Sequence, residues 1–308
     1  MRISLALTIL LVTAPLAAAQ SFPPWFSADG RVALGYSDRV PGADAFLVGD
    51  VTLRFQPQLS GVLGFELGAY GRADALDTPH ETFGAVIWDF GRDARLAVGV
   101  PRPAYDGFAI SALEHSFPSL GIDATGGTRS AATNGAMFAN WLPYGISFSG
   151  RRDAFQYAAS VHEASNVGMT VASFGAATAV GNWQFSGAVE VTWGAGSNVS
   201  GKLQARGPIG PVTGGIGYYS PSTVGGSDLV EAFADYLATD NITISAVMQA
   251  PTNGAADPTT GIAARYSITP NAALSIGVAS DAGSDAVFSA FLEWQFGGPP
   301  ALIWRPLE

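Results

Sequence analysis

The sequence contains no cysteine and only three histidines among its 308 residues. The lack of cysteine agrees with export without establishing it, since many exported proteins carry no disulfide bond. Charge is also scarce, because charged residues make up 13 % of the chain where about a quarter is usual. Acidic residues outnumber basic ones by 25 to 15, and the formal net charge is −10. A nucleic-acid partner, which would need a basic patch, is therefore not expected.

Long apolar runs are missing from most of the chain as well. After the first residues, no segment approaches the roughly 20 consecutive apolar residues of a membrane-spanning helix. The N-terminus itself has a positive charge at Arg2, an apolar stretch over 3–12 and a small-residue motif at 17–19. This pattern predicts an export signal over residues 1–19 that is removed before Gln20, and an uncleaved anchor helix is the alternative. The mature protein would then comprise residues 20–308.

Motifs for catalysis and for cofactors are absent too. His80, His115 and His162 lie in no recognisable catalytic or metal-binding pattern. The sequence has no nucleophile elbow of the Gly-x-Ser-x-Gly type, no His-Glu-x-x-His and no phosphate-binding glycine-rich loop. We therefore predict that the protein is not an enzyme, and we expect no cofactor and no assigned metal. Calcium held between acidic loop residues is left open, because no EF-hand spacing is present.

What the sequence does have is alternation of apolar and polar residues with a period of two. The clearest case is the run around 182–193, where Trp183, Phe185 and Trp193 share one face and Gln184 and Glu190 share the other. About 16 such strands can be counted, joined alternately by short turns and by longer loops. Hydrophobic residues reach 48 % and glycine is abundant at 38 residues. This combination predicts an all-β, transmembrane antiparallel β-barrel, with a soluble secreted β-protein as the alternative.

One long segment, residues 101–143, interrupts the alternation. Compact domains rarely carry loops longer than about 12–15 residues unless the loop has a function. We predict that this segment folds inside the barrel and narrows its lumen. Its apolar anchors would be Tyr105, Phe108, Ile110, Leu113, Phe117 and Leu120.

Two local stretches and the overall architecture resemble the Gram-negative general porins, most closely the alphaproteobacterial 16-stranded type. One stretch is FGRDARLAVGVPRPAYD over 90–106, which is similar to the porin strand that leads into the third external loop. The other is the final strand, predicted over 285–296, whose Trp294 and Phe296 resemble the terminal assembly signal of outer-membrane proteins. Porins usually end at that phenylalanine, whereas here an extension over 297–308 follows.

The resemblance implies an outer-membrane homotrimer that is embedded in lipid and lets small hydrophilic solutes and ions diffuse passively. It also implies a constriction where acidic residues on the inserted loop face arginines on the wall. The acidic candidates are Asp106, Glu114 and Asp123. The basic candidates, all inward by strand parity, are Arg31, Arg54, Arg72 and Arg95.

Two other functions remain compatible with the same fold. One is a channel selective for a substrate such as a sugar or a small anion. The other is a plugged barrel with a structural or adhesive role. The net negative charge would favour cations weakly, but charges at the constriction can override it.

Overall fold

Sixteen antiparallel β-strands form a closed ring in a computed structural model of the chain. Each strand pairs with its neighbours in sequence, and β1 pairs with β16 to complete the circle. The structure describes residues 23, 25–39, 44–56, 63–91, 93–118, 120, 128–194, 197–221, 227–254, 257–280 and 286–297. The predicted signal over 1–19, the candidate Asp123 and residues 298–308 of the extension lie outside these ranges.

The strands have nearly uniform lengths of 7 to 12 residues. Their bounds are β1 Phe26–Ser37, β2 Ala45–Phe55, β3 Leu63–Ala73, β4 His80–Phe90, β5 Ala94–Val100, β6 Tyr144–Arg152, β7 Phe155–Ala164, β8 Met169–Val180, β9 Trp183–Gly194, β10 Asn198–Ile209, β11 Val212–Ser220, β12 Leu229–Thr239, β13 Ile242–Pro251, β14 Thr259–Thr269, β15 Ala272–Ser280 and β16 Ala286–Phe296. The prediction of a 16-stranded antiparallel barrel is confirmed.

The ring closes through a continuous ladder between the first and last strands. Gly30 lies opposite Phe296, and Val32 lies opposite Trp294. Closure leaves no sheet edge with unpaired backbone groups, which is the condition for a sheet to span a bilayer. Tight turns join the strands at one end of the barrel, called here the turn end, and the opposite end is called the loop end. Gly91, Gly181 and Gly210 occupy turn positions with φ of 71°, 59° and 62°, which favour glycine.

The outer and inner faces of the wall differ in polarity, as the alternation predicts. Outward side chains are large and apolar, for example Leu34, Phe65 and Ile262, and they are exposed. Inward side chains are small or polar, for example Ser147 and Thr192. Aromatic residues ring the outer face near both ends of the strands, the arrangement of interfacial girdles in outer-membrane barrels. The exposed members are Tyr36, Phe90, Tyr144, Phe155, Trp183, Trp193, Tyr218, Tyr236, Tyr266 and Phe288.

Residues 101–143, called here the inserted loop, connect β5 to β6, and described residues of this loop pack against the inner wall of the barrel. The loop begins with a 3-10 turn at Ala104–Gly107 and a short helix α1 at Ala112–Ser116, and it later forms helix α2 at Ala131–Ala139. Serine caps both helices: the Ser111 hydroxyl accepts a hydrogen bond from the Leu113 N–H, and Ser130 accepts one from Ala132.

Among the helices of the described residues, none has the length and apolarity needed to cross a membrane.

Candidate functional site

The inserted loop is packed against the inner wall through its apolar anchors. Leu113, Phe117 and Leu120 are fully buried. They form one cluster with side chains of β12 to β15, among them Phe233 and Val247. Phe233 lies on the inner face of β12, which it shares with acidic residues. An apolar side chain fits on this face because the loop packs over it. A second cluster joins the 3-10 turn and the residue after it to small side chains of the wall: Ala104, Tyr105, Phe108, Ala158, Ala177 and Ala188.

Glycines in the wall make room for the aromatic anchors. A Cβ atom at Gly261 or Gly277 would overlap the Phe117 ring, and one at Gly175 would overlap the Phe108 ring. These contacts would lie well inside van der Waals distance. The loop can approach the sheet this closely because these wall positions lack a side chain.

Replacing Gly261 with valine is expected to displace Phe117 and to weaken docking of the loop. Overpacking of this kind costs about 1–3 kcal/mol, which corresponds to a melting temperature lowered by roughly 3–9 °C. The measurement is the temperature at which the folded barrel loses its distinct mobility in gel electrophoresis. Gly201→Val is the matched control, because a Cβ at this position meets only ordinary contacts. Equal losses in both variants would contradict the role of Gly261.

Two glutamates of the wall hold the N-termini of the loop helices. Glu190 on β9 accepts hydrogen bonds from the Ser130 hydroxyl at 2.6 Å and from the Ala131 N–H at 2.8 Å. Glu231 on β12 accepts hydrogen bonds from the Ser111 hydroxyl and, at 3.0 Å, from the Ala112 N–H. Two of the donors are N–H groups of the first residue of a helix, which lack partners within the helix, and the other two are hydroxyls of the capping serines. Each carboxylate therefore fixes one helix to the wall.

Hydroxyl groups of β7 to β9 bind the backbone at the start of the loop. Ser160 accepts a hydrogen bond from the Ala104 N–H at 2.9 Å, and Ser186 accepts one from the Ala109 N–H at 2.8 Å. His162 is buried and lies 2.9 Å from the Pro101 carbonyl oxygen through its Nε2. The irregular backbone of the loop is thus satisfied by the wall, as buried polar groups require.

A cavity of about 720 Å³ remains between the loop and the wall of β8 to β16 and β1. Residues around α1 bound it on the loop side, including His115 and Ser116. The charged residues that line it on the wall are three arginines and two carboxylates. They are Arg31, Arg206, Arg265, Asp235 and Glu293.

Asp106 and Glu114, the two predicted loop acids that the structure describes, do not line this cavity. Asp106 is buried and accepts hydrogen bonds from the Ser130 N–H at 2.7 Å and from the Thr133 hydroxyl. Glu114 is buried and pairs with Arg129 of the same loop. The bonds of Asp106 stay within the loop, and Glu114 lies 3.4 Å from the Tyr70 hydroxyl of β3, so the contacts of both carboxylates serve the packing of the loop.

Arg129 is the centre of this buried charge cluster. Its guanidinium lies 3.8 Å from the centre of the Tyr70 ring, in addition to its bond with Glu114. Burial alone would lower the pKa of Arg129, but Glu114, Tyr70 and Asp106 raise it above its ordinary value. The Arg129 side chain is therefore charged and lies among these acidic groups.

The four predicted arginines are distributed over three places. Arg31 lines the cavity, 3.0 Å from His115 and 3.7 Å from Glu293. Arg54 and Arg95 come together near the turn end, where both bind Glu66. They line a separate pocket of about 40 Å³. Arg72 pairs with Asp74 at 3.1 Å near the loop end.

Sequence reasoning missed the other charged residues of the cavity. Arg206 binds Asp235 at 3.0 Å, and Arg265 binds Glu293 at 3.3 Å. The alternation of β10 and β14 already places both arginines on the inner face, which was the available signal. The sequence could not show that the loop leaves this side of the lumen open.

Solved structures of a porin from Rhodopseudomonas blastica have the same architecture. Two substituted variants of that porin match with a TM-score of 0.66 at 16 % and 17 % identity, over 88 % of this chain and 100 % of theirs. A third structure, concerned with the asymmetric conductivity of engineered proteins, matches equally well at 16 % identity, with the same coverage. No protein-family profile and no curated protein matches the sequence. At this level of identity the likeness establishes the fold, and the predicted resemblance to porins is confirmed at that level.

Proposed function

We propose that this chain, which has the porin fold, forms an outer-membrane channel for passive diffusion of small hydrophilic solutes and ions. The observation that carries the proposal is the cavity of about 720 Å³ that the inserted loop leaves open within the barrel. Its lining of arginines, carboxylates, glutamines and hydroxyl groups favours water over lipid or a packed core. The loop narrows the lumen from one side without filling it.

The outer surface supports a location in a bilayer. Its side chains are apolar between two rings of aromatic residues, and a soluble barrel would expose charge there. The signal over 1–19 would export the chain, and Trp294 and Phe296 would serve as the assembly signal in β16. Small outward residues on β1 and β3, such as Gly30 and Ala69, offer a face on which copies of the chain could associate as a trimer.

The three histidines contact backbone carbonyl oxygens or an arginine. His162 is bound to a loop carbonyl, His115 contacts Arg31, and His80 lies 2.7 Å from the Thr78 carbonyl oxygen. None of these is a contact with a nucleophile. Within the part of the chain that the structure describes, no group of three or more potential metal ligands occurs.

The predicted constriction residues would act in different ways. We propose that Arg31 acts on passing ions directly, since it lines the cavity. Asp106 and Glu114 would act by holding the loop in place. Arg54 and Arg95 would set the charge of the wall near the turn end, and Arg72 that near the loop end.

Current through planar lipid bilayers is the test of the channel. Detergent-extracted, folded protein is expected to give stepwise increments of conductance, grouped in threes if three channels insert together. Mobility that changes on heating in gel electrophoresis serves as the control for a folded barrel. Folded protein without any current would contradict the proposal and would favour a plugged barrel.

A further inference from the structure

The charges that line the open cavity differ in sign from those of the whole chain. The chain carries a formal net charge of −10. The described lining of the cavity instead holds three arginines against two carboxylates. A passing ion responds mainly to nearby charges, because salt screens charges beyond about 8–10 Å. The lining of the cavity therefore decides which ions are favoured.

The arginines of the lining differ in how far they reach the open space. The Arg31 side chain is 14 % exposed, whereas Arg206 and Arg265 are 44 % and 38 % exposed. Glu293 binds both Arg31 and Arg265, at 3.7 and 3.3 Å, so that one carboxylate is shared by two guanidinium groups. Its own side chain is only 6 % exposed. Asp235, the other carboxylate of the lining, is 28 % exposed, less than its partner Arg206. Arg206 and Arg265 are thus each more exposed than the carboxylate that they bind.

The same arginines share the cavity with residues of the inserted loop. Arg31 lies 3.0 Å from His115, and Arg206 and Arg265 line the same cavity as His115. Arg206 projects from β10 and Arg265 from β14, and Asp235 lies between them on β12, bound to Arg206 and to Ser245 of β13. Positive groups therefore stand on several strands that face α1.

We propose that this passage prefers small anions, such as inorganic anions and short carboxylates, and that Arg206 and Arg265 set this preference. The inference rests on the proposed channel function and adds the class of solute to it. Guanidinium groups suit such solutes because they are always charged and bind carboxylate or phosphate oxygens through several N–H donors.

The test is the reversal potential of the full chain in planar bilayers under a potassium chloride gradient. Unmodified protein is expected to favour chloride. Replacing both arginines with glutamine removes two positive charges from the lining, and the chloride-to-potassium permeability ratio is expected to fall about fivefold. Raising the salt from 0.1 to 1 M is expected to weaken the preference of the unmodified protein through screening.

A matched pair of substitutions separates charge from structure. Arg206→Gln and Asp235→Asn break the same ion pair, so damage caused by its loss would change selectivity in the same direction. A charge effect instead lowers the ratio in Arg206→Gln and raises it in Asp235→Asn. Arg152→Gln, an exposed arginine at the turn end of β6, is the control for charge elsewhere and is expected to change nothing.

The outcomes distinguish the proposed anion preference from the proposed channel function. A preference for potassium would overturn the anion preference, and so would a chloride-to-potassium permeability ratio that both substitutions shift in the same direction. Either result would still agree with the proposed channel function. Folded protein without conductance would overturn both. Opposite shifts in the matched pair would support the assignment of Arg206.

Discussion

Replacing Glu190 and Glu231 together with alanine is expected to make the bond between Arg129 and Ser130 accessible to trypsin. Each glutamate accepts two hydrogen bonds from a helix start in the loop. Hydrogen bonds to a charged group contribute about 1.5–3 kcal/mol each, and part of this is offset by desolvation of the carboxylate. A net loss of about 3 kcal/mol would raise the undocked fraction of the loop more than 100-fold.

The two arginines of the loop make trypsin cleavage a specific measure of undocking. Arg129 is buried, and Arg102 is followed by proline, which trypsin does not cleave. A new fragment that begins at Ser130 would therefore report undocking, and mass spectrometry identifies it. Glu163→Ala, an exposed glutamate on β7, is the control for loss of an acid. Resistance of the double variant equal to that of the unmodified protein would show that the apolar anchors alone hold the loop.

Replacing Arg129 with glutamine is expected to release the same loop for an electrostatic reason. Its partner Glu114 would stay buried, and among the described residues the remaining side-chain donor is the Tyr70 hydroxyl, 3.4 Å away. Removing one partner of a buried ion pair costs about 3–5 kcal/mol, since an uncompensated charge remains. We expect chymotrypsin to cleave at loop aromatic residues such as Tyr105 and Phe108, which the folded protein buries and which no proline follows.

A second substitution tests this explanation. Arg129→Gln combined with Glu114→Gln removes both charges, so the combined variant is expected to resist chymotrypsin better than Arg129→Gln alone. The difference between the variants gives the coupling between the two side chains. Equal sensitivity of the single and combined variants would mean that Arg129 acts through its packing on Tyr70 instead.

The wall could be predicted from the sequence because its signal is local. Alternation with a period of two is visible within each strand, and it assigns Trp183 outward and Glu190 inward without knowledge of any partner. The apolar anchors of the loop were also recognisable, since Leu113, Phe117 and Leu120 interrupt a polar segment. The fold can therefore be predicted from the residue pattern of each short segment considered separately.

The site could be predicted only in part because its contacts join distant residues. Strand parity shows that Glu190 and Glu231 face inward. The sequence pattern is the same whether an inward glutamate is solvated in the lumen or binds the start of a helix. The prediction of Asp106 and Glu114 as residues of the constriction assumed that loop acids face the wall arginines. In the structure, Arg54 binds inward acids of the wall, Asp29 and Glu66, in place of acids of the loop.

Several supports of the loop come later in the chain than the loop itself. Glu190, Glu231 and Gly261 belong to β9, β12 and β14, and the ring closes only when Gly30 meets Phe296. Contacts between residues so far apart form slowly, because a long segment must be ordered before they are made. During assembly we therefore expect the loop to stay undocked until most of the wall exists. A folding intermediate that lacks the last strands would be wider inside than the finished barrel, and docking of the loop would be among the final steps.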